Sequence, residues 1–201
     1  MPLPQPRTPR PFVKVSAPSC VLPEFPPRFF NPGELDILVE LIRRVSPKVI
    51  VEFGCNEGRA SATILKNVEG IYKYVGIDVL PGYVTQKECQ RKEVPTEPGK
   101  YVLDDPRFLL MVRERGSFDL FAEDLPQMDV AFIDADHSRV GVLNDYKLAK
   151  ARVRPGGIII FHDDNGLPVV EVTETLDMLA ARGAPIQHVE NTWIAFEEIP
   201  K

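Results

Sequence analysis

The chain has 201 residues, of which 44% are hydrophobic and 26% are charged, a composition typical of one globular domain with a sizeable core. Its net charge of −5 at pH 7 argues against nucleic acid or an anionic membrane as a partner. The first eleven residues lack the apolar core of a signal peptide, no apolar run approaches the ~20 residues of a membrane span, and the three cysteines are far apart. We therefore expect a soluble, cytoplasmic protein.

Residues 1–30 are predicted to form a proline-rich N-terminal arm, because ten of the 20 prolines fall within the first 32 residues. Residues 31–201 form the predicted single domain. It begins with Asn31-Pro32-Gly33-Glu34, a typical helix start with a capping Asn, and apolar residues then follow helical spacing to about Val45.

Strands and helices alternate through the rest of the chain. The predicted strands are 49–53, 72–78, 108–113, 128–134 and 158–161, and the predicted helices are 59–68, 138–153 and 168–182. Residues 80–106 are predicted to be an irregular insertion with a helix near 86–92, and residues 186–189 and 192–199 a terminal hairpin. This order predicts an α/β, doubly wound, Rossmann-like and mostly parallel seven-stranded sheet with a C-terminal antiparallel hairpin.

The first predicted strand runs directly into a glycine turn, Glu52-x-Gly54-x-x-x-Gly58, and then into a helix. A strand, a glycine turn and a helix N-terminus bring backbone N–H groups against a nucleotide-like ligand. A dinucleotide fingerprint has three glycines, whereas this turn has two, and the carboxylate of Glu52 would repel a pyrophosphate. The turn therefore favours a cationic or amino-bearing ligand.

Three further strands end in polar residues. Asp78 ends the second strand, 20 residues beyond Gly58, at the position where an acidic side chain meets ribose hydroxyls. Asp134-Ala135-Asp136-His137 follows the fourth strand, and His162-Asp163-Asp164-Asn165 follows the fifth. Because ligands of open α/β sheets bind outside the carboxyl ends of the strands, these groups should converge on one site.

These motifs together resemble the class I S-adenosylmethionine-dependent methyltransferases, whose first motif is (D/E)-x-G-x-x-x-G. More closely, they resemble a subgroup of small O-methyltransferases with F-I-D-x-D-H after the fourth strand and R-P-G-G-x-x-x-x-H-D at the fifth. The resemblance covers roughly residues 34–199. It implies transfer of the methyl group of S-adenosylmethionine to an oxygen, less readily a nitrogen, of a small molecule.

The resemblance also implies which residues contact the cofactor. Glu52, Gly54 and Gly58 would hold the methionine and adenosine parts, Asp78 the ribose, and Ser117 would lie near the adenine, where the family often has an acidic residue. The full expected set is Glu52, Gly54, Cys55, Asn56, Gly58, Asp78, Val79, Ser117 and Asp134.

A metal site is a second implication. Catechol-type O-methyltransferases bind Mg²⁺ through an Asp that ends strand four, here Asp134, and an Asp-Asn pair that ends strand five. Pro155-Gly156-Gly157 is the predicted turn into the fifth strand. Counting from this Gly-Gly turn places His162-Asp163 over that pair, and a shift of one or two residues places Asp163-Asp164 or Asp164-Asn165 there. The predicted ligands are Asp134, Asp163 and Asp164, for Mg²⁺ or another divalent cation; an added imidazole would favour a transition metal. The alternative is that these carboxylates orient the substrate and cap helices.

His137 and His162 are two of only three histidines, and both fall in the predicted site. Either could remove a hydroxyl proton before in-line attack on the sulfonium methyl group, with Asp134 as the third catalytic candidate. The alternative role for His137 is to cap the following helix.

Two other functions remain open from the sequence. A nicotinamide-dependent oxidoreductase would share the ribose contact of Asp78, but it would want a third glycine and no Glu52. A catalytically inactive subunit that binds the cofactor is the non-enzymatic alternative. The arm and the edge hairpin would suit a homodimer.

Overall fold

The computed structural model describes residues 7–25, 28–85 and 87–201. Residues 1–6 and 26–27 of the predicted arm, and residue 86 of the predicted helix near 86–92, lie outside the described residues. The helices are α1 (Glu34–Arg44), α2 (Arg59–Asn67), α3 (Arg139–Arg152) and α4 (Val172–Ala181). The strands are β1 (Phe12–Val13), β2 (Val49–Phe53), β3 (Lys73–Val79), β4 (Phe108–Arg113), β5 (Met128–Ile133), β6 (Val153–Phe161), β7 (Gln187–Val189) and β8 (Ala195–Glu198). Short 3₁₀ segments lie at Glu88–Gln90, Gly116–Asp119 and Ala122–Asp124.

The described strands form one sheet in the order β1-β7-β8-β6-β5-β2-β3-β4. β8 runs antiparallel to both β6 and β7, and the other neighbouring strands are parallel. The predicted fold class is thereby confirmed. The sheet has eight strands instead of the predicted seven, because Phe12–Val13 of the arm pairs with β7.

Both faces of the central strands are buried, as expected for a parallel sheet covered by helices on each side. Within β2, Val51 and Phe53 face the core formed with α3 and α4, whereas Ile50 faces the core formed with α1 and α2. This alternation follows from the two-residue period of a strand. It also sets the direction of Glu52, which shares the face of Ile50.

The strand order reverses between β2 and β5. From β2 the chain proceeds to β3 on one side, and β5 pairs with the other side of β2. A crevice forms at such a reversal, because the two connections leave in opposite directions. The carboxyl ends of β2 and β5 are therefore the expected centre of a binding site.

Three local details differ from the sequence predictions. Helix α1 begins at Glu34 after Gly33, whose φ is 85°, and no side chain caps it. Strand β6 begins at Val153, so it includes the Pro-Gly-Gly segment predicted as a turn. The helix predicted near 86–92 is reduced to the 3₁₀ segment Glu88–Gln90. Across the described ranges, no helix combines the length and the apolar character needed to cross a membrane.

Candidate active site

A cavity of about 350 Å³ opens at the carboxyl ends of β2, β3, β5 and β6. Its wall is made by the loops that follow these strands, by the insertion after β3, and by two aromatic side chains from the arm and the terminal hairpin, Phe29 and Trp193. Residues on the wall that follow the strands include Gly54, Asn56, Asp78, Val79, Ser117, Asp134, Ala135, Asp136, His137, Asp163 and Asn165. Six of the nine predicted cofactor residues are among them: Gly54, Asn56, Asp78, Val79, Ser117 and Asp134.

Gly54 lies where the ends of β2 and β5 meet. Its φ is 85°, and a Cβ atom at this position would lie 2.3 Å from the carbonyl oxygen of Asp134. Only glycine fits so close to a neighbouring backbone in this conformation. The N–H groups of Gly54 and Cys55 both donate to the carbonyl oxygen of Ile77, at 2.8 and 3.1 Å, and this ties the turn to β3.

Asp78 projects from β3 onto the cavity wall. Its carboxylate accepts hydrogen bonds from the N–H groups of Asn56, at 2.6 Å, and Val79, at 2.8 Å. Burial raises the pKa of Asp78 to about 6, although these N–H groups lower it. Each carboxylate oxygen keeps a lone pair that can accept a hydrogen bond from a ligand hydroxyl.

The structure places Glu52, Cys55 and Gly58 away from the cavity wall. Glu52 shares the strand face of Ile50, so its carboxylate lies under the turn, where it accepts hydrogen bonds from Ser61 and, at 2.8 Å, from the Tyr74 hydroxyl. Burial raises the pKa of Glu52 to about 8.

Cys55 and Gly58 shape the turn from within. Cys55 is buried, with 2% of its surface exposed. Gly58 has a φ of 83° as the N-cap of α2, and a Cβ there would lie 2.5 Å from the Val102 side chain. Both residues therefore have structural reasons for their identity.

Two histidines and two carboxylates meet where β5 and β6 end, beside the cavity. Nδ1 of His162 lies 3.3 Å from Oδ1 of Asp134 and 3.3 Å from Oδ2 of Asp163. Nε2 of His137 approaches the same two oxygens, at 3.8 and 3.2 Å. This geometry confirms the prediction that these strand ends converge.

These side chains shift each other's pKa values. Burial alone would lower the pKa of His162, but the charges of Asp134 and Asp163 outweigh it and raise the pKa well above its ordinary value. Burial would also lower the pKa of His137, but Asp134 and Asp163 outweigh it and raise the pKa. Against the effect of burial, His162 and His137 lower the pKa of Asp134. Both imidazoles therefore hold a proton more tightly than a free histidine does.

Asp164, the third predicted metal ligand, points away from this group. Its carboxylate is fully buried against Arg10, His188 and Thr173, with contacts of 2.7 to 2.9 Å. The backbone turns sharply here, since Asp163 has a φ of 58°, and consecutive side chains leave in different directions. With all its contacts made inside the fold, Asp164 is not available to a metal ion.

The cluster nevertheless has the donor atoms of a cation site. Asp134, His162 and Asp163 each offer one ligand atom, and these atoms lie within 4.8 Å of one another. The buried Nδ1 of His162 makes no hydrogen bond to any described residue. This trio corresponds to the register obtained by counting from the Gly-Gly turn. An unpaired imidazole nitrogen beside two carboxylate oxygens fits a divalent cation.

Ser117 lies on the cavity wall as predicted, but its hydroxyl donates to the carboxylate of Asp145. Asp145 is fully buried on α3, and burial raises its pKa to about 7. The hydroxyl oxygen of Ser117 also accepts a hydrogen bond from Asn144, at 3.2 Å. This bonding fixes the side chain of Ser117 against α3.

Two residues of the site have no counterpart in the sequence predictions. Gln90, in the insertion, accepts a hydrogen bond from the N–H of His137 at 3.0 Å and donates to the carbonyl oxygen of Ala135 at 2.8 Å. Glu34, predicted only as a helix-start residue, is completely buried, and its Oε2 lies 3.4 Å from Nε2 of His162. Sequence motifs do not identify either residue, because each acts by contacting a residue that is far away in the sequence.

Comparison with known proteins places these features in a family. A sequence profile described as a methyltransferase domain matches residues 51–163, which is more than half of the chain. A comparison with curated protein sequences gives no significant match.

Several solved structures share the fold at low sequence identity. The S-adenosylhomocysteine-bound methyltransferase PaMTH1 of Podospora anserina is 16% identical, with a TM-score of 0.59 over 84% of this chain and 78% of that one. The O-methyltransferase TomG of Streptomyces achromogenes, involved in tomaymycin synthesis and solved with S-adenosylmethionine, is 16% identical, with a TM-score of 0.56 over 85% and 81%. An O-methyltransferase of Bacillus cereus, solved with S-adenosylhomocysteine, is 17% identical, with a TM-score of 0.52 over 86% and 84%.

At such low sequence identities, the similarity to solved structures supports only the fold. The family assignment rests on the profile match. The sheet ends in the antiparallel hairpin predicted from the sequence pattern, and the profile spans the segment from β2 to Asp163. The chain belongs to the methyltransferase-domain family, and its predicted membership of the class I methyltransferases is confirmed.

Proposed function

We propose that the protein transfers the methyl group of S-adenosylmethionine to a hydroxyl oxygen of a small molecule. The observation that carries this proposal is that one cavity brings together two chemically different groups of residues. Gly54, Asp78 and Ser117 lie on its wall, and so do Asp134, His137 and Asp163 of the histidine–carboxylate cluster. Neighbours of the same fold are O-methyltransferases solved with S-adenosylmethionine or S-adenosylhomocysteine, which agrees with this assignment.

The cofactor would occupy the end beside the glycine turn. Asp78 would accept hydrogen bonds from the ribose hydroxyls, and the backbone of Gly54 and Asn56 would contact the methionine part. The adenine would lie near Val79 and Ser117. Glu52 acts in this arrangement as a support beneath the turn, because its carboxylate is already bonded to Ser61 and Tyr74.

Methyl transfer requires a deprotonated oxygen in line with the sulfonium methyl group. His137 is the proposed base: it lies on the cavity wall, and the carboxylates of Asp134 and Asp163 stabilise the imidazolium that forms. The acceptor oxygen gives its proton to His137 and its electron pair to the methyl carbon, and the carbon–sulfur bond breaks to leave S-adenosylhomocysteine. Gln90 holds the backbone at His137 during this step.

A divalent cation fits the same cluster of histidines and carboxylates. Asp134, His162 and Asp163 would hold it, and when bound it would lower the pKa of an acceptor hydroxyl and orient it. Asp164 is excluded from the ligand set by its bonds to Arg10 and His188.

The remainder of the wall suits a small acceptor with an apolar part. The insertion contributes Tyr83 and Val94, and the loop after β6 contributes Leu167 and Val169. Phe29 of the arm covers the same opening. These segments would exclude water from the transferring methyl group. The cytoplasmic location and the homodimer stay predictions from the sequence.

Calorimetric titration with S-adenosylhomocysteine and with NAD⁺ tests the proposal first. We expect affinity in the micromolar range for S-adenosylhomocysteine and none for NAD⁺; binding of NAD⁺ instead would support the oxidoreductase alternative. Turnover of labelled S-adenosylmethionine with a panel of hydroxylated and amino compounds then separates an enzyme from an inactive subunit. Transfer to amines alone would contradict the oxygen specificity.

A further inference from the structure

Glu34 is the least expected charged residue near the active site. It belongs to the first turn of α1, yet none of its surface is exposed. Oε1 accepts a hydrogen bond from the N–H of Trp193 at 2.5 Å, and Oε2 accepts one from the N–H of Asn31 at 2.7 Å. These two bonds fix the carboxylate in one orientation. In that orientation Oε2 lies 3.4 Å from Nε2 of His162.

A fixed carboxylate at Nε2 determines which nitrogen of His162 keeps its proton when an ion binds. A carboxylate is only an acceptor, so the imidazole presents Nε2–H to Glu34, and Nδ1 is the nitrogen that can exchange its proton for an ion. Phe30 packs on the ring, with 4.6 Å between ring centroids, and this contact limits its rotation. Nδ1 therefore faces Asp134 and Asp163, at 3.3 Å from an oxygen of each.

The two carboxylates and Nδ1 of His162 are directed at one point, where either an Nδ1 proton or a cation can lie between them. Nδ1 of His162 makes no hydrogen bond of good geometry to a described residue, and the nearest oxygens of Asp134 and Asp163 are both 3.3 Å away. A cation that displaces the Nδ1 proton would be shared by all three groups, and the imidazole decides which cation binds best. Oxygen ligands suit Mg²⁺, whereas imidazole nitrogen favours transition ions such as Fe²⁺, Co²⁺, Ni²⁺ and Zn²⁺.

We propose that Asp134, His162 and Asp163 form a nitrogen-containing site selective for a divalent transition-metal ion over Mg²⁺, and that Glu34 is the positioning residue that directs Nδ1 of His162 to the ion. A metal-binding histidine characteristically donates its second N–H to a carboxylate, which raises its basicity and fixes its orientation. Glu34 stands in that position. The inference rests on the proposed function for its catalytic relevance, but metal binding can be measured separately from activity.

Co²⁺ is the probe of choice, because its visible absorption spectrum reports its ligands directly. We would titrate the purified protein with Co²⁺, measure Mg²⁺ affinity by competition, and repeat both with His162→Asn. The Asn side chain offers an oxygen near the position of Nδ1, but it is too short to reach Glu34. We expect the ratio of Co²⁺ to Mg²⁺ affinity to fall at least ~10-fold in this variant, with a changed Co²⁺ spectrum. An unchanged ratio, or a wild-type protein that does not bind Co²⁺, would overturn the selectivity.

Glu34→Gln and Glu34→Asp test the positioning role. The first removes the charge, and the second keeps it while withdrawing the carboxylate by one methylene group. We expect either to weaken Co²⁺ binding by about 10- to 100-fold. Glu197→Gln is the matched control, because Glu197 is also buried but pairs with Tyr146 and Lys150 away from the cavity. Wild-type Co²⁺ affinity in either folded Glu34 variant would overturn the role of Glu34.

The affinity of metal-free protein for S-adenosylhomocysteine separates this inference from the proposed function. If S-adenosylhomocysteine binds and Co²⁺ does not, the metal site is wrong and the methyltransferase proposal stands. If Co²⁺ binds and S-adenosylhomocysteine does not, the cofactor proposal fails while the metal site stands. Circular dichroism of each variant identifies those that fold.

Discussion

Arg10 and Asp164 form a bidentate ion pair in which both side chains are completely buried. Two guanidinium nitrogens of Arg10 donate to the two carboxylate oxygens at 2.8 and 2.7 Å. Burial alone would lower the pKa of Arg10, but Asp164 and Asp177 outweigh it and raise the pKa. The pair joins the N-terminal arm to the residue that directly follows Asp163. The arm is therefore part of the folded domain and borders the active site.

Removal of Arg10 should strongly destabilise the fold. Arg10→Ala leaves the carboxylate of Asp164 buried without its main partner, although His188 still contacts it at 2.7 Å. Loss of one partner of a buried pair typically costs about 3–5 kcal/mol. Urea unfolding of the variant measures the change, and Arg7→Ala, at an exposed position of the same arm, is the control. Equal stability of the two variants would show that the pair does not anchor the arm.

Glu52 should make the protein less stable as the pH rises. Its ordinary pKa of 4.5 applies to the unfolded chain, and its pKa in the folded protein is about 8, so the folded state holds the proton more tightly. Its contribution to stability is complete below pH 4.5 and is lost as the pH rises towards 8, by at most about 5 kcal/mol.

The Glu52→Gln variant tests this assignment, because its amide cannot ionise. We expect the variant to lose less stability than the wild-type protein between pH 5 and pH 8.5, with unfolding free energies taken from urea titrations at each pH. Glu198→Gln, at an exposed position of β8, should behave like the wild type. Parallel pH curves for Glu52→Gln and the wild type would contradict the raised pKa.

The parts of the fold that depend on local sequence pattern were predictable. The strands at 49–53 and 108–113 have the predicted bounds, because each is an apolar run between residues that break regular structure. The direction of Glu52 could have been predicted as well. The two-residue period of the strand places it on the same face as Ile50, away from the ligand.

Contacts distant in sequence were not predictable in this way. Arg10 meets Asp164 across 154 positions, and Gln90 meets His137 across 47. Neither segment has a period or motif, since one is proline-rich and the other irregular. The sharp backbone turn at Asp163 separates its side chain from that of Asp164, and no local signal in the sequence chooses which carboxylate enters the site.

Asp78→Asn should weaken cofactor binding without unfolding the protein. The amide keeps one acceptor oxygen but loses the charge that strengthens hydrogen bonds from ribose hydroxyls, so we expect a loss of about 1.5–3 kcal/mol, roughly 10- to 150-fold in affinity. Calorimetry with S-adenosylhomocysteine measures it, and Asp104→Asn, at an exposed position of the insertion, is the control. Unchanged affinity would remove Asp78 from the cofactor site.

His137→Gln should reduce turnover far more than cofactor affinity. The variant loses the proposed proton acceptor beside Asp134 and Asp163, so we expect kcat to fall by about 10²- to 10⁴-fold while S-adenosylhomocysteine binds as before. Gln90→Ala serves as the comparison, because it releases the backbone of His137 without removing the imidazole. Its kcat should fall by a smaller factor.

The pH dependence of kcat then distinguishes a base from a structural residue. If His137 accepts the substrate proton, the Gln90→Ala variant keeps the acidic limb of the wild-type profile and the His137→Gln variant loses it. A His137→Gln variant with an intact acidic limb would assign proton removal to another group. Equal losses of kcat and of cofactor affinity in that variant would instead indicate that His137 holds the cavity wall in place.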